Sequence, residues 1–159
     1  MIKISCYKTR IDQLAKTFCQ LAQKCYHASI NTCVITCDND STVELDKVLW
    51  TYSRKEFIPH STNLDPLPNL HPIYITDSLE NPNDSKIIIL INPTQERLLQ
   101  FFTYPNKTNL GALDKIMIIF DDNQNIQYEE INNIIQKIQF NNFEINLFEQ
   151  ENSGAWKKT

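Results

Sequence analysis

The chain has 159 residues, which is enough for one domain built around a single buried core. Its 15 Lys and Arg against 19 Asp and Glu give a formal net charge of −4, so it lacks the positive field of a non-specific nucleic-acid-binding protein. With 42% hydrophobic and 21% charged residues, the composition is that of a globular protein and excludes a disordered one.

The first third of the chain predicts the order β-α-β-α. Residues 2–7 and 32–37 have the β-branched and alternating patterns of strands. Thr9 and Asp12 form a capping pair before an amphipathic helix whose apolar face consists of Ile11, Leu14, Ala15, Phe18, Ala22 and Cys25. The pair Ser41 and Glu44 predicts a second capping box, which opens a helix with Leu45, Val48 and Leu49 inside.

The middle of the chain combines loops with a buried strand. Five of the seven prolines fall between positions 50 and 82, which predicts extended structure with short strands near residues 57–58 and 73–76. The unbroken apolar run Ile87–Ile91 is typical of a strand covered on both faces of a parallel sheet. Asn92 and Pro93 then predict the N-cap and first position of a third helix.

The last third repeats the strand-helix order. Residues 115–120 predict another buried strand, and residues 143–148 a short terminal one. Between them lies a helix whose inner face consists of Tyr128, Ile131, Ile134, Ile135 and Ile138. We therefore expect one domain over residues 1–159, a three-layer α/β/α fold with a mainly parallel sheet of about five strands. It is Rossmann-like without a nucleotide loop, because the only glycines, Gly111 and Gly154, cannot form a phosphate-binding loop.

The chain shows no targeting or membrane signal. Its longest apolar runs have five residues, far short of the roughly 20 that cross a bilayer. The charged N-terminal residues do not resemble a secretory signal, so we expect a cytoplasmic protein. A reducing compartment predicts that its five cysteines are free thiols.

Acidic residues follow two predicted strands and supply one candidate for catalysis. Asp38, Asp40, Asp121 and Asp122 lie where ligands bind in open α/β sheets, so a magnesium-dependent phosphoryl-transfer or hydrolase site is the alternative function. Asp is also a common turn residue and helix cap, and the pattern favours these structural roles.

The cysteines and histidines supply weaker candidates. Cys25, His27, Cys33 and Cys37 lack the Cys-x-x-Cys spacing of a zinc site, and no nucleophile signature surrounds a cysteine. Buried free cysteine is the favoured interpretation, so neither a metal nor a cofactor is expected.

Two surface features suggest binding to other molecules. Lys16, Gln20 and Lys24 share one side of the first helix, which is typical of a solvated face and also suits an acidic peptide or phosphates. Trp50, Phe57 and Pro59 lie in a loop-rich stretch after the second helix. Their spacing is compatible equally with a protein interface and with a covered sheet edge.

Several short motifs together carry a family resemblance. They are Leu49-Trp50, Phe57-Ile58-Pro59-His60-Ser61, Pro72-Ile73, Ile89-Leu90-Ile91-Asn92, Glu149-Gln150 and Gly154-Ala155-Trp156-Lys157. In this order and spacing, over essentially the whole chain, the sequence resembles the chi subunit family of bacterial DNA polymerase III. The resemblance implies a cytoplasmic α/β accessory subunit in a nucleotidyltransferase complex, with no active site and no cofactor of its own.

The resemblance also implies partners. Chi subunits bind the psi subunit, or another clamp-loader component, and the acidic C-terminal tail of single-stranded DNA-binding protein (SSB). They have been linked to a helicase-like repair protein through the psi surface, while membrane binding is not implied and direct DNA binding is weak or absent. Trp50, Phe57 and Pro59 match the partner-binding surface of the family, which favours the interface interpretation.

The tail-binding positions implied by the resemblance are Ile135, Gln136, Lys137 and Gln139. Relatives place Arg, Lys and an aromatic residue on this C-terminal helix, whereas Lys137 is the only basic residue here. Residues 121–151 contain seven acidic residues and one basic residue, and this net charge of −6 repels an acidic tail. The basic face with Lys16 and Lys24 is therefore the alternative receiver.

Overall fold

The computed structural model describes residues 1–103, 108–123, 126–138 and 143–159. In these ranges the strands are β1 (Ile2–Thr9), β2 (Thr32–Ile35), β3 (Ser61–Thr62), β4 (Ile73–Thr76), β5 (Ile87–Ile91), β6 (Lys115–Asp121), β7 (Phe143–Gln150) and β8 (Trp156–Lys158). The α-helices of the same ranges are α1 (Leu14–His27), α2 (Asn39–Tyr52), α3 (Gln95–Thr103) and α4 (Tyr128–Gln136). None of these helices has the length and hydropathy of a membrane-spanning segment.

The described strands form one eight-stranded sheet in the order β3-β4-β2-β5-β6-β1-β7-β8. Its neighbouring strands run parallel except β7 and β8, which are antiparallel. The predicted α/β fold with a mainly parallel sheet is confirmed. The predicted number of about five strands is too low, partly because β3 and β8, with two and three residues, are too short to show a pattern in the sequence.

Helices cover both faces of the sheet and explain its apolar strands. On one face Ile88 lies in a buried cluster with Phe101 of α3 and Ile131 of α4. On the other face Ile89 lies in a cluster with Phe18 of α1 and with residues of α2. Burying one such side chain stabilises the fold by roughly 1.5–3 kcal/mol, so the two clusters hold the three layers together.

The helix starts differ from those predicted. α2 begins two residues before Ser41, because Asp38 is its N-cap and the Asp38 Oδ1 accepts a hydrogen bond from the Ser41 amide at 2.8 Å. β2 ends at Ile35, which leaves residues 36–38 to form the turn before this cap. The predicted box of Ser41 and Glu44 is therefore wrong by one helical turn.

The predicted start of α1 is also corrected. A short 3-10 turn at Ile11–Gln13 precedes α1, and neither helical segment has a side-chain cap. Thr9 is the last residue of β1 and is buried, so it does not cap the helix with Asp12. Ile11 lies outside α1 and is 57% exposed, whereas Phe18, Ala22 and Cys25 belong to the buried cluster on that face of the sheet, Leu14 packs against it, and Ala15 is half-buried.

The polar residues before α3 have different roles from those predicted. The Thr94 Oγ1 accepts a hydrogen bond from the Arg97 amide at 3.1 Å, so Thr94 occupies the capping position. Asn92 instead has a φ of 44° and bonds to Asp121 at the end of β6. The strand predicted near residues 57–58 is absent from the described chain, and the sheet edge is formed by β3.

Candidate partner-binding surface

Trp50 and Phe57 form an exposed aromatic pair at the C-terminal end of α2. Trp50 is 55% exposed and Phe57 is 52% exposed, although their ring centroids lie only 4.9 Å apart. Large aromatic side chains that contact each other yet remain half in solvent are typical of interface hot spots. Both residues are therefore on the surface, not in the core at a sheet edge.

Neighbouring residues in the sequence hold this pair in place. Leu49 and Ile58 are each 2% exposed, so each exposed aromatic residue is adjacent to one that points into the core. Pro59 is half-buried, and its ring restricts the backbone that follows Phe57. Together Trp50, Phe57 and Pro59 line an open groove of about 520 Å³.

A buried histidine supports the floor of the groove. The His60 ring lies 5.0 Å from the Trp50 ring and 6.2 Å from the Phe57 ring, between centroids. Its Nδ1 lies 2.7 Å from the carbonyl oxygen of Ile58, which accepts a hydrogen bond, so Nδ1 is the donor. Its Nε2 lies 3.0 Å from the Asp46 Oδ1 on α2. The His60 ring thus packs against Trp50 of α2, and its Nε2, although close to Asp46, makes no hydrogen bond within the described residues.

The loop after β3 extends the apolar surface. Leu64 lines the same groove and is 80% exposed, while Leu67 and Leu70 are 54% and 68% exposed. The motifs did not single out these leucines. A signal was present in the sequence, because Leu67 stands between Pro66 and Pro68, and prolines on both sides favour an extended surface loop.

The candidate tail-binding residues at the end of α4 differ in how exposed they are. Ile135 is 2% exposed and belongs to the core cluster under α4, which makes it a packing residue and corrects its assignment as a contact. Gln136 is the last residue of α4, and Lys137 follows it as an exposed C-cap. Gln139 lies outside the described residues. The structure therefore leaves one exposed cation, Lys137, among the described residues of this group.

The basic face of α1 has a different setting. Lys16 and Lys24 are exposed, and both line a groove of about 430 Å³ that also contains Gln20 of α1 and Trp156 of β8. The sequence predicted that the two lysines share a side of the helix. It did not predict that a C-terminal tryptophan lies beside them.

A comparison with known proteins identifies the family. The model of the family described as "DNA polymerase III chi subunit, HolC" matches residues 1–130. The chain belongs to this family. A "Probable DNA polymerase III subunit chi" of Rickettsia prowazekii (strain Madrid E) is 36% identical over 159 residues, covering 99% of this chain and 92% of that protein. The resemblance seen in the motifs is confirmed, which makes this a DNA replication protein of the chi family.

In this chi-family chain the acids of the magnesium hypothesis make structural contacts. The Asp38 carboxylate caps α2, and the hydrogen bond from the Ser41 amide is the main cause of its lowered pKa. The Asp121 carboxylate accepts hydrogen bonds from the Asn92 side chain and the Asn123 amide. Asp40 lies in the first turn of α2, and Asp122 follows β6. The described residues contain no cluster of three or more His, Cys, Asp or Glu able to hold a metal ion.

The cysteines of this chi-family chain are free thiols, and four of the five are buried. Burial raises the pKa of Cys6 and of Cys19 to about 12, and it raises the pKa of Cys33 further. Cys37 is exposed, lies beyond the end of β2, and donates to the carbonyl oxygen of Asn92 at 2.9 Å. Such protonated thiols act as small apolar residues, as the sequence favoured.

Proposed function

We propose that this chi-family chain is an accessory subunit without catalytic activity in the DNA polymerase III holoenzyme. It links the clamp loader, through a psi-type partner, to SSB. The surface formed by Trp50, Phe57 and Pro59 binds the psi-type partner. The exposed contact between the Trp50 and Phe57 rings carries the proposal, because these two of the three residues that match the family's partner-binding surface are aromatic and half in solvent.

The shape and chemistry of the groove favour a protein partner. Aromatic and aliphatic side chains from α2, from the segment after it and from the loop after β3 are exposed together. A partner that covers these side chains removes apolar surface from water, which stabilises the complex. Truncating an aromatic anchor of this kind to alanine often weakens binding by about 2 kcal/mol or more. The groove also has polar lining residues, including His60 and His71, but it is open at the surface, whereas a small-molecule site encloses most of its ligand.

The structural roles of the acidic residues support an accessory function. Asp38 and Asp121 direct their carboxylates at backbone and side-chain donors of the chain itself. Asp38 caps the start of α2, and Asp121 joins the end of β6 to Asn92, which follows β5. The magnesium-dependent alternative therefore has no observation in its favour.

The first prediction tests the partner-binding surface. Trp50→Ala and Phe57→Ala should each weaken capture of the psi-type clamp-loader component at least tenfold, because each removes an exposed aromatic anchor. Their melting temperatures should change little, since both side chains are already half in solvent. The measurement is isothermal titration of the purified partner into each variant, together with thermal denaturation.

Leu99→Ala is the matched control. Leu99 is 45% exposed on α3, on the opposite side of the sheet from α2, so its loss should leave capture unchanged. Equal capture by Trp50→Ala, Phe57→Ala and the wild-type protein would contradict the proposal. A large loss of stability in Trp50→Ala would show that its ring belongs to the core.

A further inference from the structure

The second surface of interest is the groove over α1. It is lined by the polar side of α1, by Tyr52 of α2, and by Gln150, Gly154 and Trp156 of the β7–β8 hairpin. Its volume of about 430 Å³ suits a few residues of an extended peptide. It shares no lining residue with the groove of Trp50 and Phe57, so both can be occupied together.

Two uncompensated positive charges lie in this groove. Lys16 and Lys24 are exposed, and eight residues of helix place their backbones about 12 Å apart. The ion pairs found among the described residues involve neither of them.

Three acidic groups near α1 have other partners, and one of them, Glu149 on β7, pairs with Lys8 at 3.9 Å. The Glu56 carboxylate contacts Gln23 at 2.8 Å and His27 at 2.6 Å, and these hydrogen bonds lower its pKa. Asp12 pairs with Arg10 at 3.3 Å. The charge available to a ligand is therefore that of Lys16 and Lys24, within a chain whose net charge is −4.

An oriented aromatic ring forms one wall. Trp156 packs edge-on against Tyr7 with ring centroids 5.6 Å apart, and Tyr7 stacks on Phe148 at 5.2 Å. The turn of the hairpin is held by a hydrogen bond from the Arg10 guanidinium to the carbonyl oxygen of Asn152. The indole is consequently fixed beside α1 while part of its surface stays open.

We infer that this groove is the docking site for an acidic peptide segment of a partner protein. Carboxylates of the segment contact Lys16 and Lys24, and an apolar side chain of the segment packs on Trp156. The inference rests on the proposed function for the identity of the partner, SSB, and it places the contact at α1, not at Lys137.

Charge distinguishes this groove from the end of α4 and from a nucleic-acid site. α1 carries Lys16 and Lys24 and no acidic residue, whereas α4 carries Glu129 and Glu130 and ends beside one cation, Lys137. An acidic segment is therefore attracted to α1 and repelled near Lys137. Two lysines in a short groove also fall short of the continuous basic track along which a nucleic-acid backbone binds.

The test measures binding of the C-terminal tail peptide of SSB from the same organism by fluorescence anisotropy. Lys16→Gln/Lys24→Gln should weaken binding at least tenfold, and wild-type binding should weaken as salt rises. Lys47→Gln/Lys55→Gln, which removes the same charge from exposed sites outside the groove, should bind as the wild type does. In a Trp50→Phe background, peptide binding should change the emission of Trp156, the one tryptophan left.

The outcomes of this test distinguish a failure of this inference from a failure of the proposed contact with SSB. Loss of tail binding in Lys137→Gln, with none in Lys16→Gln/Lys24→Gln, would overturn the inference and leave the contact with SSB standing. If a generic peptide of Asp, Ser and one Leu binds in a way that depends on Lys16 and Lys24 while the SSB tail does not bind, the inference of an acidic-peptide site stands. In that case the proposed contact with SSB is wrong. Binding of neither peptide, or tighter binding of an oligothymidine than of either, would overturn the inference.

Discussion

Trp50 and Phe57 remain half in solvent although their burial would stabilise the folded chain. Covering a fully exposed Phe stabilises a protein by roughly 1.5–3 kcal/mol, so about half of this free energy per ring is available to a partner. Sequence spacing could not determine their exposure. Leu49 and Trp50 are consecutive apolar residues, and only the rotation of α2 on the sheet decides that Leu49 faces inward.

A second prediction concerns His60. His60→Ala leaves the Ile58 carbonyl oxygen and the Asp46 carboxylate without the ring that faces both. We expect a loss of about 1–3 kcal/mol in the free energy of unfolding, together with weaker partner capture, because the ring also supports Trp50. Urea denaturation measures the first effect and partner titration the second.

The control for His60 is His27→Ala. His27 is an exposed residue paired with Glu56 at the surface, so its loss should leave the urea midpoint almost unchanged. An unchanged midpoint in His60→Ala as well would show that the buried ring does not stabilise the segment after α2.

At the scale of elements, the strong patterns were predictable and the boundaries were not. The unbroken apolar run of β5 was predictable because helices cover both faces of the sheet, so every side chain of this strand is buried. The inner face of α4 was predictable because only one side of this helix packs on the sheet. The start of α2 was missed because Asp38, Ser41 and Thr42 are all acceptable caps, and only the end of β2 at Ile35 selects Asp38. The hairpin with β8 was missed because its three residues form no periodic pattern.

A third prediction tests the β7–β8 hairpin through its glycine. Gly154 has a φ of 89°, which side-chain-bearing residues rarely adopt, and its amide donates to the Glu151 carbonyl oxygen at 2.9 Å. Gly154→Ala should therefore lower the free energy of unfolding by about 1 kcal/mol, measured by urea denaturation. Because the hairpin positions Trp156, tail-peptide binding should weaken as well.

Gly111→Ala is the matched control for this prediction. A Cβ at either glycine meets no atom within 4 Å, but Gly111 does not have a positive φ. Its substitution should leave stability unchanged or slightly raised. Equal effects of the two substitutions would show that backbone strain at Gly154 does not govern the hairpin.

At the scale of the whole molecule, burial of free thiols makes stability depend on alkaline pH. In the unfolded chain a thiol ionises near its ordinary pKa of 9.0, whereas the native pKa of Cys6 and of Cys19 is raised to about 12. Between these values the unfolded state binds fewer protons than the native state, so rising pH favours unfolding. The stabilisation is complete below pH 9.0 and is lost as the pH rises through about 12.

The fourth prediction follows from this linkage. The free energy of unfolding should be nearly constant between about pH 6 and pH 8 and should fall above about pH 9. Each of the two thiols should contribute up to about 1.4 kcal/mol per pH unit to this fall. Urea denaturation at a series of pH values measures the slope. Cys19→Ala should make it less steep, and an identical slope in Cys19→Ala and the wild-type protein would contradict this account.

The central claim is that one chi-family domain connects two partners through two separate surfaces. Sedimentation velocity of this chain mixed with its psi-type clamp-loader component and SSB tests it most directly. We predict one sedimentation boundary that contains all three proteins. In Phe57→Ala the psi-type partner should leave this complex, and in Lys16→Gln/Lys24→Gln SSB should leave it. Two separate binary complexes, in which one partner displaces the other, would contradict the account.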